Sequence, residues 1–422
     1  KYGMKFFFGL YDSGKYWDTG DLTWEIESNK YVIEEVWKKY GHHKSFQGWY
    51  LCQEISRATK GAIAAFSSLG KQCKEVSGGL PTLISPWIDG KKAGDGVTVA
   101  LRADIDALAM DDLKEVPYHS QNQGVCHACG HDAHTATLLT AAKILKAKEN
   151  EFSGQVRLFF QQAEEIGQGA RQFVQAGLLD GVTRVFGAHV TSHLDSGKIS
   201  LTAGPQNASC DYFKIQIHGK GAHVSTPQLG VDALYIASQI VVQLQTIVSR
   251  NTDPLETVVV GVGKLEAGTQ YNIVAEHAVL EGTTRSFLPE VRKFTNDRVV
   301  RIAKETAALY GAEAEVEFLD FAAPLVNDAK AVEEVTAVTA EFLPREDIIS
   351  DFQKALGADD FADYLAVTRG MYAFVGTRSA KDPHTAVAHH HGLFDVDEEG
   401  LLISCNVYVD YALWVLNEKP EA

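Results

Sequence analysis

From Val97 onward, short apolar runs alternate with segments whose apolar residues recur every three to four positions. VTVALRADID (97–106) is an apolar run of strand length that ends in acidic residues. HTATLLTAAKILKA (134–147) carries the helical period, and GQVRLFFQQAEE (154–165) returns to a strand. Strand, helix, strand at this spacing is a βαβ unit, which predicts a largely parallel sheet of the α/β class. ARQFVQAGLLD (170–180) continues as a helix and VTRVFGAHV (182–190) as another buried strand. Ligands of such sheets sit beyond the carboxyl ends of the strands. Asp104 with Asp106, Glu164 with Glu165, and His189 all fall there.

The pattern changes near residue 208. SCDYFKIQIH (209–218) alternates apolar and polar, as a strand with one solvated face does. A helix at 231–250, strands at 257–268 and 277–287, a helix at 290–311 and a strand at 314–321 complete a β-α-β-β-α-β order, the ferredoxin-like arrangement. Beyond Pro324 the helix and strand alternation resumes. The pattern predicts an α/β domain over 1–207 and 323–422, interrupted by an inserted α+β domain over 208–322.

Composition narrows the class. At 422 residues the chain exceeds the size at which one hydrophobic core keeps growing, so more than one domain is expected. With 45% hydrophobic and 22% charged residues it reads as globular and soluble, without disordered or fibrous character. A net charge of −16 argues against nucleic-acid binding, which needs a basic face. No run reaches the ~18 apolar residues of a membrane helix, and the opening stretch lacks a signal-peptide pattern, so a cytoplasmic location is expected. Six scattered cysteines do not make a disulfide framework.

The chemistry concentrates in VCHACGHDAH (125–134), which holds Cys126, His127, Cys129, His131 and His134. Thiolate and imidazole suit zinc and its softer neighbours, whereas calcium or magnesium takes oxygen. A structural zinc knuckle would need a second ligand pair at similar spacing, and none exists. A redox C-x-x-C would place a helix start at the cysteines. Glu164 and Glu165, one βαβ crossover away, read as a metal carboxylate beside a general base, although two solvated glutamates would look the same in isolation. His189 is a third convergent donor. VAHHHGLFDVDEEG (387–400) adds three histidines, which by themselves fit a solvated loop as well as a ligand.

CHACGHDAHT, FQQAEE, GAHV, GKGAH, EGTTRSF and HHGLFDVDEE, in this order, resemble metallopeptidase family M20 and specifically its amidohydrolase branch, over about residues 97–415. The resemblance implies a three-layer, mostly parallel, zinc-peptidase-like catalytic domain with the inserted domain as a satellite. It implies a two-metal site with Cys129 as the shared thiolate and His131, Glu165, His189 and His390 completing the shell. His390 is selected over His389 and His391 because it stands four residues before Phe394. Glu164 would be the general base, and Asp104 or Asp106 would orient a ligating histidine. His223, Asn272 and Arg285 would meet the substrate, with Arg285 suited to gripping a carboxylate in two-pronged fashion.

The expected activity is hydrolysis of N-acyl-amino acids with two divalent ions, zinc first and manganese, cobalt or nickel compatible. A carboxypeptidase or dipeptidase of the wider family, or a catalytically silent metal-binding protein, is the alternative. The resemblance further implies a homodimer through the inserted domain, with His223 reaching the partner's site; a histidine serving its own subunit after domain closure is the alternative. The chain departs from the family at the start, where 38–54 lacks a Pro-Glu-Leu core. It departs also at Cys126, where methionine is usual, and at Gln228, where histidine is usual.

Overall fold

A computed structural model of the chain describes residues 6–12, 21–43, 46–51, 61–80, 82–83, 87–89 and 97–417. It divides into two compact units, one of residues 1–101, 140–160 and 412–422 and one of 102–139 and 161–411.

In the first unit, β1 (Phe6–Gly9), α1 (Thr23–Tyr40), β2 (Phe46–Tyr50), α2 (Ala62–Ser77) and β3 (Thr82–Leu83) alternate along the chain. The three strands pair in parallel in the order β1-β2-β3. Leu10, Ile33, Val36, Phe46, Trp49, Leu51, Leu69 and Cys73 form the core of this βαβαβ unit. Asn29 is buried within α1, and its amide exchanges two hydrogen bonds with the Tyr11 backbone, both 2.8 Å. That clamp fixes the end of β1 to the helix, because a buried amide left unpaired would cost free energy. Part of the 38–54 segment lies outside the described residues. β4 (Trp87–Asp89) pairs antiparallel with β6 (Gln155–Gln161), which follows β5 (Thr98–Asp104) and α3 (His131–Ala147) in the chain.

In the second unit the chain continues through α4 (Gly169–Gln175), β7 (Val182–Asp195), β8 (Ile199–Ser200) and β9 (Gly204–Asn207). The mixed, largely parallel sheet there runs β17-β8-β18-β7-β5, with β17 (Ile348–Ile349) and β18 (Gly370–Arg378) supplied from the far end of the sequence. β7 and β18 are parallel from Val185↔Gly370 to Thr191↔Gly376. Val185, Phe186, Ala188, Met371, Ala373 and Val375 are buried, as strands covered on both faces require. Each such large apolar side chain contributes roughly 1.5–3 kcal/mol.

Residues 210–322 form an antiparallel sheet of order β12-β14-β10-β15. Its strands are β10 (Cys210–His218), β12 (Val258–Ala267), β14 (His277–Ser286) and β15 (Glu313–Ala322). A small ribbon pairs β11 (Ala222–His223) with β13 (Ile273–Val274). Helices α5 (Ala233–Thr246) and α6 (Pro289–Leu309) pack on the sheet through Ile236, Ile240 and Val299 against Phe213, Ile215, Ile217 and Leu280. Asp232 starts α5 by accepting the Leu234 and Tyr235 amides. The helix expected to reach residue 250 loosens into a π-helical turn over Ile247–Asn251. At the root of this segment β9 pairs antiparallel with β16 (Leu325–Asn327), so the chain leaves and returns side by side.

The sequence closes with α7 (Ala329–Thr339), α8 (Ala362–Leu365) and α9 (Glu399–Asn417). Among the described residues no helix is long and apolar enough to cross a membrane. Cys73, Cys126, Cys129, Cys210 and Cys405 are free thiols.

Candidate metal centre

The cysteine and histidine stretch folds as a loop that runs into α3. Leu108 and Cys126 exchange backbone hydrogen bonds of 2.9 and 3.1 Å, which anchors the loop. α3 begins at His131, three residues before the apolar periodicity predicts, because Gly130 turns the chain at φ +84° and its carbonyl accepts the His134 amide at 3.1 Å. A Cβ at Gly130 would lie 2.4 Å from Val190 Cγ2, so both conformation and space demand glycine. His131 and His134 consequently share one face of the first turn.

Their roles diverge. His131 Nδ1 lies 3.1 Å from both Asp106 Oδ1 and the Asp106 carbonyl, which orients the ring. His131 Nε2 is buried and has no hydrogen-bond partner among the described residues. His134 uses both nitrogens internally: Nδ1 is 2.5 Å from Asp104 Oδ1, and Nε2 accepts the Val190 amide at 2.9 Å. His127 Nδ1 is held by the Asp106 carbonyl at 2.9 Å, and Cys126 is buried in a cluster with Ala128, Ala133, Val190 and Phe394. Of the five donors of the motif, His134 has both nitrogens hydrogen-bonded, His127 is held through Nδ1 alone, Cys126 is buried in an apolar cluster, and Cys129 and His131 keep a ligand atom turned toward other donors.

The acidic pair sits in a turn after β6. Ala163 takes φ +61°, unusual for a residue with a side chain, and its carbonyl accepts the Gln168 and Gly169 amides at 3.1 and 3.2 Å. The Glu165 amide donates to Asp106 Oδ2 at 3.0 Å, its Oε2 lies 3.4 Å from His390 Nε2, and its Oε1 is buried without a hydrogen-bond partner among the described residues. His189 donates Nδ1–H to the Val190 carbonyl at 2.6 Å and turns Nε2 to within 3.5 Å of Cys129 Sγ. His390 also sits at φ +61°, its amide bonded to the Ala128 carbonyl at 2.8 Å. His389, the neighbour set aside in favour of His390, brings Nδ1 to 3.6 Å from Cys129 Sγ.

Cys129 is therefore the junction of two groups, one with His189 and His389 and one with Glu165 and His390. Within each group the ligand atoms lie within 4.8 Å of one another, and the same holds for His131, Glu164 and Glu165, and for Glu164, Asp359 and Asp360.

The electrostatics want a cation. Arg102 is fully buried and extends its fork to Asp104 (2.6 Å), Asp360 (3.0 Å), Gln161 Oε1 (2.9 Å) and the Tyr372 hydroxyl (3.1 Å). Arg102 faces Asp104, Asp359, Asp360 and Glu164, with the His131 imidazole as a second cation beside Asp104. Burial, then Asp359 and Asp104, pushes the Glu164 carboxyl well up. Burial, then Glu165 and Glu164, does the same to the Cys129 thiol. Burial pulls His131 down, but Asp104 and Asp106 outweigh it and raise the imidazole to about 9. Burial and the nearby histidines lower His389 to about 3 and hold His189 well below its usual range, leaving both neutral. Ligand atoms on His131 and Glu165 without hydrogen-bond partners among the described residues, a cluster of buried carboxylates and a thiolate, imidazole and carboxylate donor set all fit divalent ions of the zinc type.

The sequence profile of peptidase family M20/M25/M40 matches residues 100–414. The chain belongs to peptidase family M20. As an M20 protein it is a hydrolase of amide bonds, and its relatives are named accordingly. It is 36% identical over 345 residues to an N-acetyl-L-cysteine deacetylase of Bacillus subtilis, covering 81% of this chain and 80% of that one. It is 37% identical over 401 residues to thermostable carboxypeptidase 2 of Saccharolobus solfataricus, covering 94% and 100%. A solved Bacillus subtilis structure, described as a dinuclear metal-binding peptidase of the M20 family, is 33% identical with a TM-score of 0.66 over 78% of this chain and 84% of its own. The profile of a domain of unknown function, DUF4434, matches residues 1–151 and overlaps the start of the M20 match.

The remaining M20 expectations fall elsewhere. His223 is exposed on β11, where its Nδ1 accepts from the Ser225 amide (3.1 Å) and lies 2.7 Å from the Ser225 hydroxyl. The Asn272 carbonyl accepts the Val224 amide at 3.1 Å, placing Asn272 on the same ribbon. Arg285 is on β14, with Nη1 3.4 Å from the Leu356 carbonyl. None of the three belongs to the donor groups around Cys129. Residues that sequence reasoning passed over are Arg102, Gln161, His389, Asp359, Asp360 and Tyr372. Arg102 had one visible signal, a charge inside an apolar strand.

Proposed function

We propose that this M20 hydrolase is a metal-dependent amidohydrolase that cleaves N-acyl-amino acids to a carboxylic acid and a free amino acid. The observation that carries this reading is Glu164, a buried carboxylate within 4.8 Å of His131 and Glu165 donor atoms yet outside both groups that contain Cys129. Cys129, His131, Glu165, His189 and His390 would hold two divalent ions, zinc first among them, with His389 as a further donor. When bound, such ions polarise the amide carbonyl and acidify water. Glu164 takes the proton of the attacking water and returns it to the leaving nitrogen, as a carboxylate beside the donor groups can.

The inserted segment 208–322 serves in this reading as a satellite and dimerisation domain, with the catalytic domain formed by 1–207 and 323–422. Val224, Leu229, Tyr271 and Ile273, around His223 and Asn272, are exposed apolar residues that a second copy would cover. His223 would then stabilise the oxyanion in the partner's site, and Asn272 and Arg285 would bind substrate. The free thiols support a cytoplasmic location.

The test is elemental analysis of the purified protein together with turnover of acetyl, benzoyl, aminobenzoyl and indoleacetyl amino acids, before and after chelation. Hydrolysis that chelator abolishes and metal restores is expected; full activity in the chelated protein overturns the reading. The carboxypeptidase named above, matched over 94% of this chain, favours a second reading in which the substrate is a peptide cleaved at its carboxy-terminal residue. Faster turnover of unblocked dipeptides than of any acyl-amino acid would select it.

A further inference from the structure

The motif places a second histidine three residues after His131, and the geometry around it is that of a support for a ligand. The Val190 amide can only donate, so the nitrogen it meets, His134 Nε2, must offer a lone pair. The proton of a neutral ring is then on Nδ1, aimed at Asp104. Asp104 is in turn held by the buried Arg102 fork at 2.6 Å. Both His134 nitrogens are hydrogen-bonded, although the ring lies with Asp104, His131 and His189 in a group whose donor atoms fall within 4.8 Å of one another. On the other side, Val190 N–H and C=O project from the same edge of β7, the amide to His134 and the carbonyl to His189 Nδ1. The rings of His134 and His189 meet edge to face with centroids 4.6 Å apart.

We infer that His134 is a positioning residue: through the chain Arg102–Asp104–His134–Val190 it fixes the backbone and the ring face that present His189 Nε2 beside Cys129. This rests on the reading of His189 as a metal ligand. A strand edge next to a ligand would otherwise carry an unpaired amide and could shift, and a histidine ligand whose outer partners are loosened binds metal less well, typically about 10- to 100-fold.

The experiment titrates metal-free parent, His134→Asn and His134→Gln with zinc against a competing chelator. Asn keeps a donor near Asp104, whereas Gln reaches toward the Val190 amide. Both variants are expected to bind two ions at saturation, with the affinity for one reduced about 10- to 100-fold in H134N and less in H134Q, and with faster hydrogen exchange at Val190 in H134N. Unchanged affinity in both variants overturns the inference. Loss of one ion at saturation also overturns it, since His134 would then be a ligand. A parent that binds no metal overturns the site reading and this inference with it, whereas a metal-binding parent matched by its variants overturns this inference alone. Should the variants fail to fold, a neutron map of the parent decides: deuterium on Nδ1 and none on Nε2 is expected, and deuterium on Nε2 refutes the assignment.

Discussion

Replacing Arg102 with methionine should be among the most damaging single changes in the protein. Methionine approximates the volume of the arginine stem, so the loss is chiefly electrostatic. Arg102 and its partners Asp104 and Asp360 are 0% exposed, so solvent does not screen their interaction. Breaking a buried pair by removing one partner costs roughly 3–5 kcal/mol, because the remaining charge has neither water nor counter-ion. Here two carboxylates, the Gln161 carbonyl oxygen and the Tyr372 hydroxyl lose a donor together, while partial protonation of the carboxylates limits the damage. We therefore expect about 4 kcal/mol. With an unfolding entropy of ~2 cal/mol/K per residue, a unit of this size should melt roughly 5–8 °C lower. The assay is thermal melting of the metal-free proteins, which keeps metal linkage out of the comparison. The deficit should shrink at about pH 5 relative to about pH 8, since protonation relieves the stranded carboxylates, and R102M/D360N should recover part of it. A loss below about 1 kcal/mol, equal at both pH values, would refute the view that Arg102 neutralises this cluster.

Other consequences can be checked together. Glu164→Gln should lower turnover by orders of magnitude with metal content near the parent's, whereas Glu165→Gln should lose metal; two fully active variants would remove the acidic pair from the mechanism. Because His131 lies at about 9 and the Cys129 thiol is pushed well up without metal, ion binding should expel protons, and affinity should fall roughly tenfold for each unit by which pH is lowered, per proton displaced; affinity flat between about pH 6 and 8 contradicts this. In the metal-free protein His389, at about 3 against 6.5, contributes stability that is present above pH 6.5 and lost as pH falls toward 3, so His389→Gln should flatten the acid side of a plot of melting temperature against pH. Mixing inactive His223→Ala and Glu164→Gln under subunit exchange should restore activity if His223 works in the partner's site, and a solution that stays inactive despite exchange places His223 in its own subunit.

The order of elements from Val97 onward and the segments dense in soft donors could be read from residue order alone, because both depend on short-range signals. Apolar runs and helical periods report which backbone groups pair locally, and CHACGHDAH is dense enough in soft donors to stand out without a fold. The boundary of α3 could not be read so well, since the turn at Gly130 depends on contact with Val190, sixty residues away. The parallel βαβαβ unit of the first ninety residues was not read, because its strands are only four, five and two residues long and give too short a run for the period to stand out. Within the site, sequence offered five donors in one loop and three histidines in another without saying which would be free. The tertiary structure decided it by placing hydrogen-bond partners: Asp104 and the Val190 amide occupy both nitrogens of His134, the Asp106 carbonyl takes Nδ1 of His127, and His389 and His390, the latter at positive φ, both come beside the Cys129 junction. A side chain's chemistry is inherent in its type, but whether its lone pair remains available is decided by what the fold brings against it.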